Sequence, residues 1–214
     1  MAKKRISDVL IEVLANAGIE RIYGITGDSL NSVNDSLRRN GKIAFEHVRH
    51  EETAAFAAGA EASLTGKLTV CAGSSGPGNL HLINGLFDCH RNRVPVLAIA
   101  SHIPQSEVGL NYFQETHPEN LFKECSCFCE LISNPKQMPE ILFRAMNAAV
   151  GNQDVAVIVL PGDVAVMETE IDELPVWHHP RLPHIVPQRE DIEEMSAHLE
   201  KGERITLFCG AGCE

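Results

Sequence analysis

The chain has 214 residues, 44% of them apolar, with 18 basic side chains against 29 acidic ones and a formal charge of −11. That length is generous for one domain and short for two, and the apolar fraction is enough for a substantial core. An acidic balance without any basic stripe excludes a nucleic-acid partner, since phosphate binding needs clustered Lys and Arg, and no apolar run approaches the ~20 residues that span a bilayer.

The opening MAKKRIS is basic but has no apolar stretch of the signal-peptide kind, so a cytoplasmic protein is expected. Ser7 reads as the cap of a first helix, in which Val9, Leu10, Val13, Leu14 and Ala17 share one face and Gly18 is the stop. Short apolar runs then alternate with helical patterns. Strands are predicted at 19–25, 42–48, 67–73, 94–101, 127–132 and 155–161, and helices at about 29–39, 50–65, 78–91 and 136–150. Several strands are unbroken Val/Ile/Leu/Ala runs, as required when helices cover both faces of a parallel sheet. The fold class is therefore α/β, a doubly wound, mainly parallel six-stranded sheet.

Beyond residue 161 the pattern changes. Residues 166–187 are proline-rich, hold Trp177, His178 and His179, and read as a linker. PQREDIEEMSAHLEKGER then reads as a polar amphipathic helix, and ITLFCGAGCE as a strand entering a glycine turn that opens another α/β unit. The expected division is 1–165 for the main domain, 166–187 for the linker and 188–214 for the start of a second domain. The seven cysteines are expected to be reduced and structural. In ECSCFCELI the alternation of Cys125, Cys127 and Cys129 suits a strand face rather than the spacing of zinc ligands, so no metal site is expected.

Ligands of open α/β sheets gather beyond the carboxyl ends of the strands. Three loops fall there: GITGDSLN (24–31), GSSGPGNLHLING (73–85) and SHIPQSEVGLNYFQET (101–116), with Glu51 just after the second strand. Gly24, Gly27 and Asp28 suit either a plain turn and helix cap or a site rim. GSSGPG is not a nucleophile elbow, because Pro77 stands where that motif needs glycine, and it is not the dinucleotide fingerprint. Its glycines do permit close approach of backbone to a ligand. In HVRHEETAAFAAGAEA (47–62), an acidic first turn complements the helix dipole by ~0.3–1 kcal/mol, which accounts for one glutamate, and Glu52 is the natural one. The other, Glu51, begins a helix of Ala, Gly and Phe that must pack very closely against something broad. A carboxyl at such an edge loses solvation, which favours its neutral form and suits it to exchange a proton with a weakly basic nitrogen.

RHEETAAFAAGAEA, GSSGPGNLHLINGLFDCHRNRVPVLAIASHIP and YFQETHPENLFKECS together resemble the N-terminal pyrimidine-binding domain of thiamine-diphosphate enzymes, most nearly the bacterial pyruvate oxidases and quinone-reducing pyruvate dehydrogenases. The resemblance runs from about residue 5 to 166 and resumes at ITLFCGAGC, where the family's central FAD-associated domain begins. It implies that Glu51 hydrogen-bonds the aminopyrimidine of thiamine diphosphate and drives loss of the thiazolium C2 proton, after which pyruvate adds and CO2 leaves. Ser75, Gly76, Pro77, Gly78 and Asn79 would bind the cofactor, with His81 following on the helix. Phe113 and Gln114 would approach the reacting carbon, and Gly27 and Asp28 would line the rim. It further implies Mg2+ and FAD in the whole enzyme, quinone as electron acceptor, dimers or tetramers, and peripheral membrane contact through a C-terminal segment. The Mg2+-diphosphate motif and most of the FAD domain are not in this sequence, so these residues alone are expected to be inactive. The alternatives are a relative such as acetolactate synthase and a non-catalytic assembly domain.

Overall fold

The structure, a computed structural model, describes residues 2–171, 173–174, 176–181 and 186–210. They fall into two compact units, Met1–Pro180 and Arg181–Glu214. In the first unit the chain runs β1 (Ala2–Arg5), α1 (Ile6–Asn16), β2 (Arg21–Gly24), α2 (Asn31–Asn40), β3 (Ala44–His47), α3 (Glu51–Thr65), β4 (Thr69–Gly73), α4 (Pro77–Arg91) and β5 (Val96–His102). It continues through α5 (Pro118–Leu121), β6 (Phe128–Leu131), α6 (Met138–Asn152), β7 (Val155–Pro161), α7 (Gly162–Val166) and β8 (Glu168–Ile171).

All six strands expected from the sequence form one sheet in the order β3-β2-β4-β5-β7-β6, and every pairing is parallel. The central strands β5 and β7 are buried at every position, which is why they read as unbroken apolar runs. Successive side chains divide between the two faces. Leu97, Ile99, Ala156, Ile158 and Leu160 pack in one cluster with α1, α2 and α6, whereas Val96, Ala98, Ala100, Val155, Val157 and Val159 pack in the other with α3 and α4. The sheet is thus doubly wound, as expected. Gly41 and Gly66 end α2 and α3 in the left-handed region, with φ of 67° and 66°.

The Ala-rich helix has its close partner within the chain. Ala54, Ala55, Ala58 and Ala62 are buried between α4 and the sheet. A Cβ on Gly85 of α4 would lie 2.5 Å from the Ala55 Cβ and 2.8 Å from the Glu52 carbonyl oxygen. These two helices therefore approach as near as their backbones allow.

Some features differ from the sequence reading. Ser7 is not a cap: α1 begins at Ile6 after Arg5, and the buried Ser7 hydroxyl instead accepts from Ser36 at 3.0 Å. β1 and β8 form a separate antiparallel pair, Ala2 opposite Ile171 and Arg5 opposite Glu168, so the stretch read as a linker contains a strand. It also contains Trp177, which is buried and donates from its indole to Asn147 at 2.9 Å. In the second unit, α8 (Arg189–Glu200) buries no residue and only Leu199 is partly covered, and Ile205–Gly210 carry no strand; residues 211–214 of the expected glycine turn lie outside the described residues.

The six described cysteines are unbridged. Cys71, Cys89 and Cys125 belong to the apolar core, where burial pushes the Cys89 thiol up to about 12 and Cys125 up to about 11, so they stay protonated. No helix among the described residues is long and apolar enough to cross a membrane.

Candidate active site

Glu51 is the first residue of α3, where the chain leaves the carboxyl end of β3 through a turn, and it is only 7% exposed. His50 precedes it in extended backbone and caps the helix, its Nδ1 accepting from the Glu52 N–H at 3.3 Å. One Glu51 carboxylate oxygen, Oε2, lies 3.1 Å from Nδ1 of His81 on α4, so carboxylate and imidazole are placed to share a proton. The two histidine rings stack, with centroids 4.3 Å apart and planes 25° from parallel. Ligand atoms of His50, Glu51 and His81 lie within 4.8 Å of one another. Nearly parallel rings, however, do not aim their in-plane lone pairs at one point, so the arrangement suits an acid–imidazole pair better than a metal centre.

The loop between β4 and α4 closes over this pair. Gly76 takes φ 68°, ψ −116°, and Pro77 begins the helix behind it. A Cβ on Gly78 would fall 3.3 Å from Glu51 Oε1 and 2.8 Å from the Ser74 hydroxyl oxygen, and one on Gly76 would fall 2.9 Å from the Gln114 carbonyl oxygen. The glycines keep free the space next to the carboxylate. Gly27 abuts the same loop, since its Cβ would meet that of Ser74 at 2.5 Å.

From here the rim continues. The Ser75 backbone N–H donates to the Ser29 hydroxyl at 2.9 Å, and the Ser75 hydroxyl faces Gln114 Oε1 at 3.4 Å. Gln114 has a positive φ of 65°, in a loop tied by Glu115, whose carboxylate accepts from the Tyr112 N–H at 3.0 Å and from Gly109. Those backbone donors hold the Glu115 carboxyl below the usual range. Phe113 is 79% exposed at the mouth. Asp28, Ser29, Asn31, Ser32, Ser75, His102, Ile103, Pro104, Tyr112, Phe113, Gln114, Gly162 and Val166 enclose a cavity of about 320 Å3.

The expected residues thus fall into two neighbouring places joined by the 74–79 loop: Glu51, Gly78 and His81 at one, and Asp28, Ser75, Phe113 and Gln114 at the other. Asn79 stands apart. It is fully buried and donates from its side-chain amide to the Ser101 carbonyl at 2.8 Å, pinning the start of α4 to the end of β5. Reasoning from sequence missed His50, Ser74, Ser29, Ser32 and His102. Only His50 carried a local signal, being adjacent to the acid at a helix start.

His102, 4% exposed at the end of β5, has its pKa pushed below the ordinary imidazole value by burial; Glu119, Glu115 and Asp163 oppose that effect, and His117 adds to it. The unfolded chain takes up this proton more readily than the folded one. This contribution to stability is therefore complete above about pH 6.5 and is lost as pH falls below it. Urea unfolding midpoints at pH 7.5 and 5.5 should accordingly drop less in His102→Gln than in the unaltered protein.

A carboxylate paired with an imidazole, roofed by glycine backbone at the strand-end rim of a doubly wound sheet, marks a cofactor-binding α/β domain. Residues 4–121 match the family model "Thiamine pyrophosphate enzyme, N-terminal TPP binding domain", and the chain belongs to this family. It is 58% identical over its whole length to an uncharacterised 42.6 kDa protein of Pseudomonas amyloderamosa, covering 54% of that protein. It is 33% identical to pyruvate oxidase of Lactiplantibacillus plantarum over 95% of this chain and 34% of the relative. Acetolactate synthase 2 of Zea mays is 29% identical over 97% of the chain and 33% of the relative. The chain therefore spans about half, or less, of the length of these relatives.

Proposed function

We propose that this chain is the aminopyrimidine-binding domain of a thiamine-diphosphate- and FAD-dependent pyruvate:quinone oxidoreductase that decarboxylates pyruvate to acetate and CO2, and that Glu51 is the acid serving the cofactor's pyrimidine. The observation that carries this reading is the buried Glu51 carboxylate, 3.1 Å from His81 and next to space that only glycine at position 78 leaves open. That pairing fits an aminopyrimidine, a flat ring whose nitrogens both give and take hydrogen bonds. When bound, thiamine diphosphate supplies a carbon nucleophile and then an electron sink for the departing carboxylate.

This chain's own residues account for the rest of the proposal at this end. Glu51 holds or releases a proton at its carboxylate, and His81, half-exposed, connects that proton to solvent. The Gly76–Pro77–Gly78 turn excludes side chains from the ring's face. Ser75 orients Gln114, which with Phe113 borders the reacting end of the substrate. Mg2+, FAD, quinone, assembly into dimers or tetramers, a cytoplasmic location and peripheral contact with a membrane belong to the proposal for the longer protein. The likeness to pyruvate oxidase at 33% identity supports the oxidase, and the 29% likeness to an acetolactate synthase supports a carboligating relative as the second reading.

One experiment separates them. The longer protein, loaded with thiamine diphosphate, Mg2+ and FAD and given pyruvate, is expected to reduce ferricyanide and release acetate. Acetolactate as the product, with the flavin idle, would transfer the assignment to the second reading. The 214 residues alone should show no turnover.

A further inference from the structure

Gln114 occupies a place in the backbone that favours glycine. The Glu115 N–H donates to the Tyr112 carbonyl at 2.9 Å, closing a turn in which Gln114 is the third residue, with φ 65°. A positive φ at that position is ordinarily supplied by glycine or asparagine, because a larger side chain crowds its own backbone there. Asn111 has φ 58° and Gly109 has φ 85°, so the left-handed region is entered three times between residues 109 and 114. Such conformations in residues other than glycine persist only where the surroundings over-determine them, and they gather at functional sites.

Two sets of contacts hold Gln114, from opposite sides. On one side it is seated on the glycine turn beside Glu51. A Cβ at Gly76 would lie 2.7 Å from the Gln114 Cβ, 2.9 Å from its carbonyl oxygen and 3.0 Å from its Cα, and Gln114 Oε1 faces the Ser75 hydroxyl at 3.4 Å. On the other side is Glu115. Its carboxylate oxygens take one backbone donor each: Oε1 accepts from the Gly109 N–H, and Oε2 from the Tyr112 N–H at 3.0 Å. The carboxylate thus ties the start of the strained stretch to the start of the turn that ends it. The Gly109 N–H is the main cause of the lowered Glu115 pKa, with those of Tyr112 and Asn111 and the nearby His117 adding to it, so both oxygens are acceptors at neutral pH. Tyr112, Phe113 and Gln114 line the cavity of about 320 Å3, whereas Glu115 stands behind that wall.

We propose that Glu115 is a positioning residue: by holding the 109–112 backbone on its two oxygens, it keeps Gln114 in the left-handed turn and against Gly76, and so fixes Gln114 at the reacting end of the substrate. This rests on the reading given above, in which Gln114 borders the 2-oxo acid and Glu51 serves the cofactor. Glu115 governs how the substrate is met and leaves cofactor activation alone; among the described residues no hydrogen bond joins it to Glu51 or His81.

The test has two arms. In the 15N-labelled 214-residue chain, Glu115→Gln keeps one acceptor oxygen and sets an NH2 group against the other backbone donor. The amide protons of Gly109 and Tyr112 should exchange with water about fivefold faster than in the parent, read by NMR. Glu107→Gln, which removes the same charge from the same loop, should leave both rates unchanged. In the longer protein, loaded with thiamine diphosphate, Mg2+ and FAD, Glu115→Gln should lower kcat/KM for pyruvate about tenfold, while exchange of the thiazolium C2 proton stays within about twofold of the parent. Glu115→Ala, which frees both donors, should lose more. In a Gln114→Gly background, where the backbone takes the turn unaided, adding Glu115→Gln should cost no more than about twofold, because the side chain being positioned is gone.

A plain structural staple would lower C2 exchange and turnover together, or act undiminished without the Gln114 side chain. Either result, or unaltered amide exchange at Gly109 and Tyr112, would overturn the proposal, as would faster amide exchange with unchanged kcat/KM. If the product is acetolactate, the oxidase reading falls by itself, and the same kcat/KM comparison is made on that product.

Discussion

Glu51→Gln in the longer protein should slow exchange of the thiazolium C2 proton of bound thiamine diphosphate by about 10²–10⁴-fold, the range that a positioned acid or base contributes. Quenched-flow deuterium exchange read by proton NMR measures it directly. Glutamine keeps the size of the side chain, its place in the first turn of α3 and a hydrogen-bonding atom toward His81, now 3.1 Å from the carboxylate. What it loses is the ability to take up and release a proton. The unfolding midpoint should therefore stay within about 1 kcal/mol of the parent, since no cavity or buried unpaired charge is created. Glu52→Gln is the matched control. Glu52 is the neighbouring acid of the same helix turn, more than a third exposed and bonded to Asn84, and its replacement should leave exchange unchanged. Parent-like exchange in Glu51→Gln would remove the assigned role.

The largest expected loss of stability comes from Gly85→Val. A Cβ at this position would meet the Ala55 Cβ at 2.5 Å, the Glu52 carbonyl oxygen at 2.8 Å and the Phe56 backbone nitrogen at 2.9 Å. Two of these three are main-chain atoms of α3, so no rotamer change relieves the clash and the helices must separate. Overpacking of this kind typically costs about 1–3 kcal/mol, and valine, with two further carbons, should reach or exceed the upper value. That is a large share of the about 5–15 kcal/mol of a typical domain. The effect reaches the site, because α3 carries Glu51 and α4 carries His81: moving the helices apart opens the carboxylate–imidazole contact. The comparison position is Gly151 in α6, where an added Cβ meets nothing within 4 Å. Gly151→Ala should stabilise by about 0.4–1 kcal/mol through the lower entropy of the unfolded chain. Urea unfolding followed by Trp177 fluorescence reports both. Equal stability of Gly85→Val and the parent would mean that α3 and α4 are not locked by this contact.

The regions of this protein that the sequence made legible are those whose signal is local and repetitive. The runs VLAIAS and VAVIVL announced central strands because both of their faces are covered, and Gly18 marked the end of α1 because the left-handed turn there favours glycine. Glu51 was legible as the acid with no need to be there, and it is buried. The close contact made by the Ala-rich helix was foreseen, but its partner was not: small residues announce proximity without naming the neighbour, and here it is α4. The pairing of β1 with β8 was hidden because KKR and ETE are short, charged and some 165 residues apart, so neither shows a strand pattern by itself. The hold of Glu115 on Gly109 and Tyr112 gave no warning either. Which backbone donors a carboxylate collects is a property of the packed loop, and YFQET in the sequence carries no trace of it.

The β1–β8 ribbon has a mechanical consequence. Because Ala2 sits opposite Ile171 and Arg5 opposite Glu168, tension applied before residue 2 and after residue 171 acts at the same end of the ladder. The rungs then bear load in series and break in succession, as in a zip, rather than resisting together in shear. From the N-terminal side the ribbon is thus the first thing to peel, whereas from the C-terminal side Trp177, held on α6 through Asn147, takes the load before it.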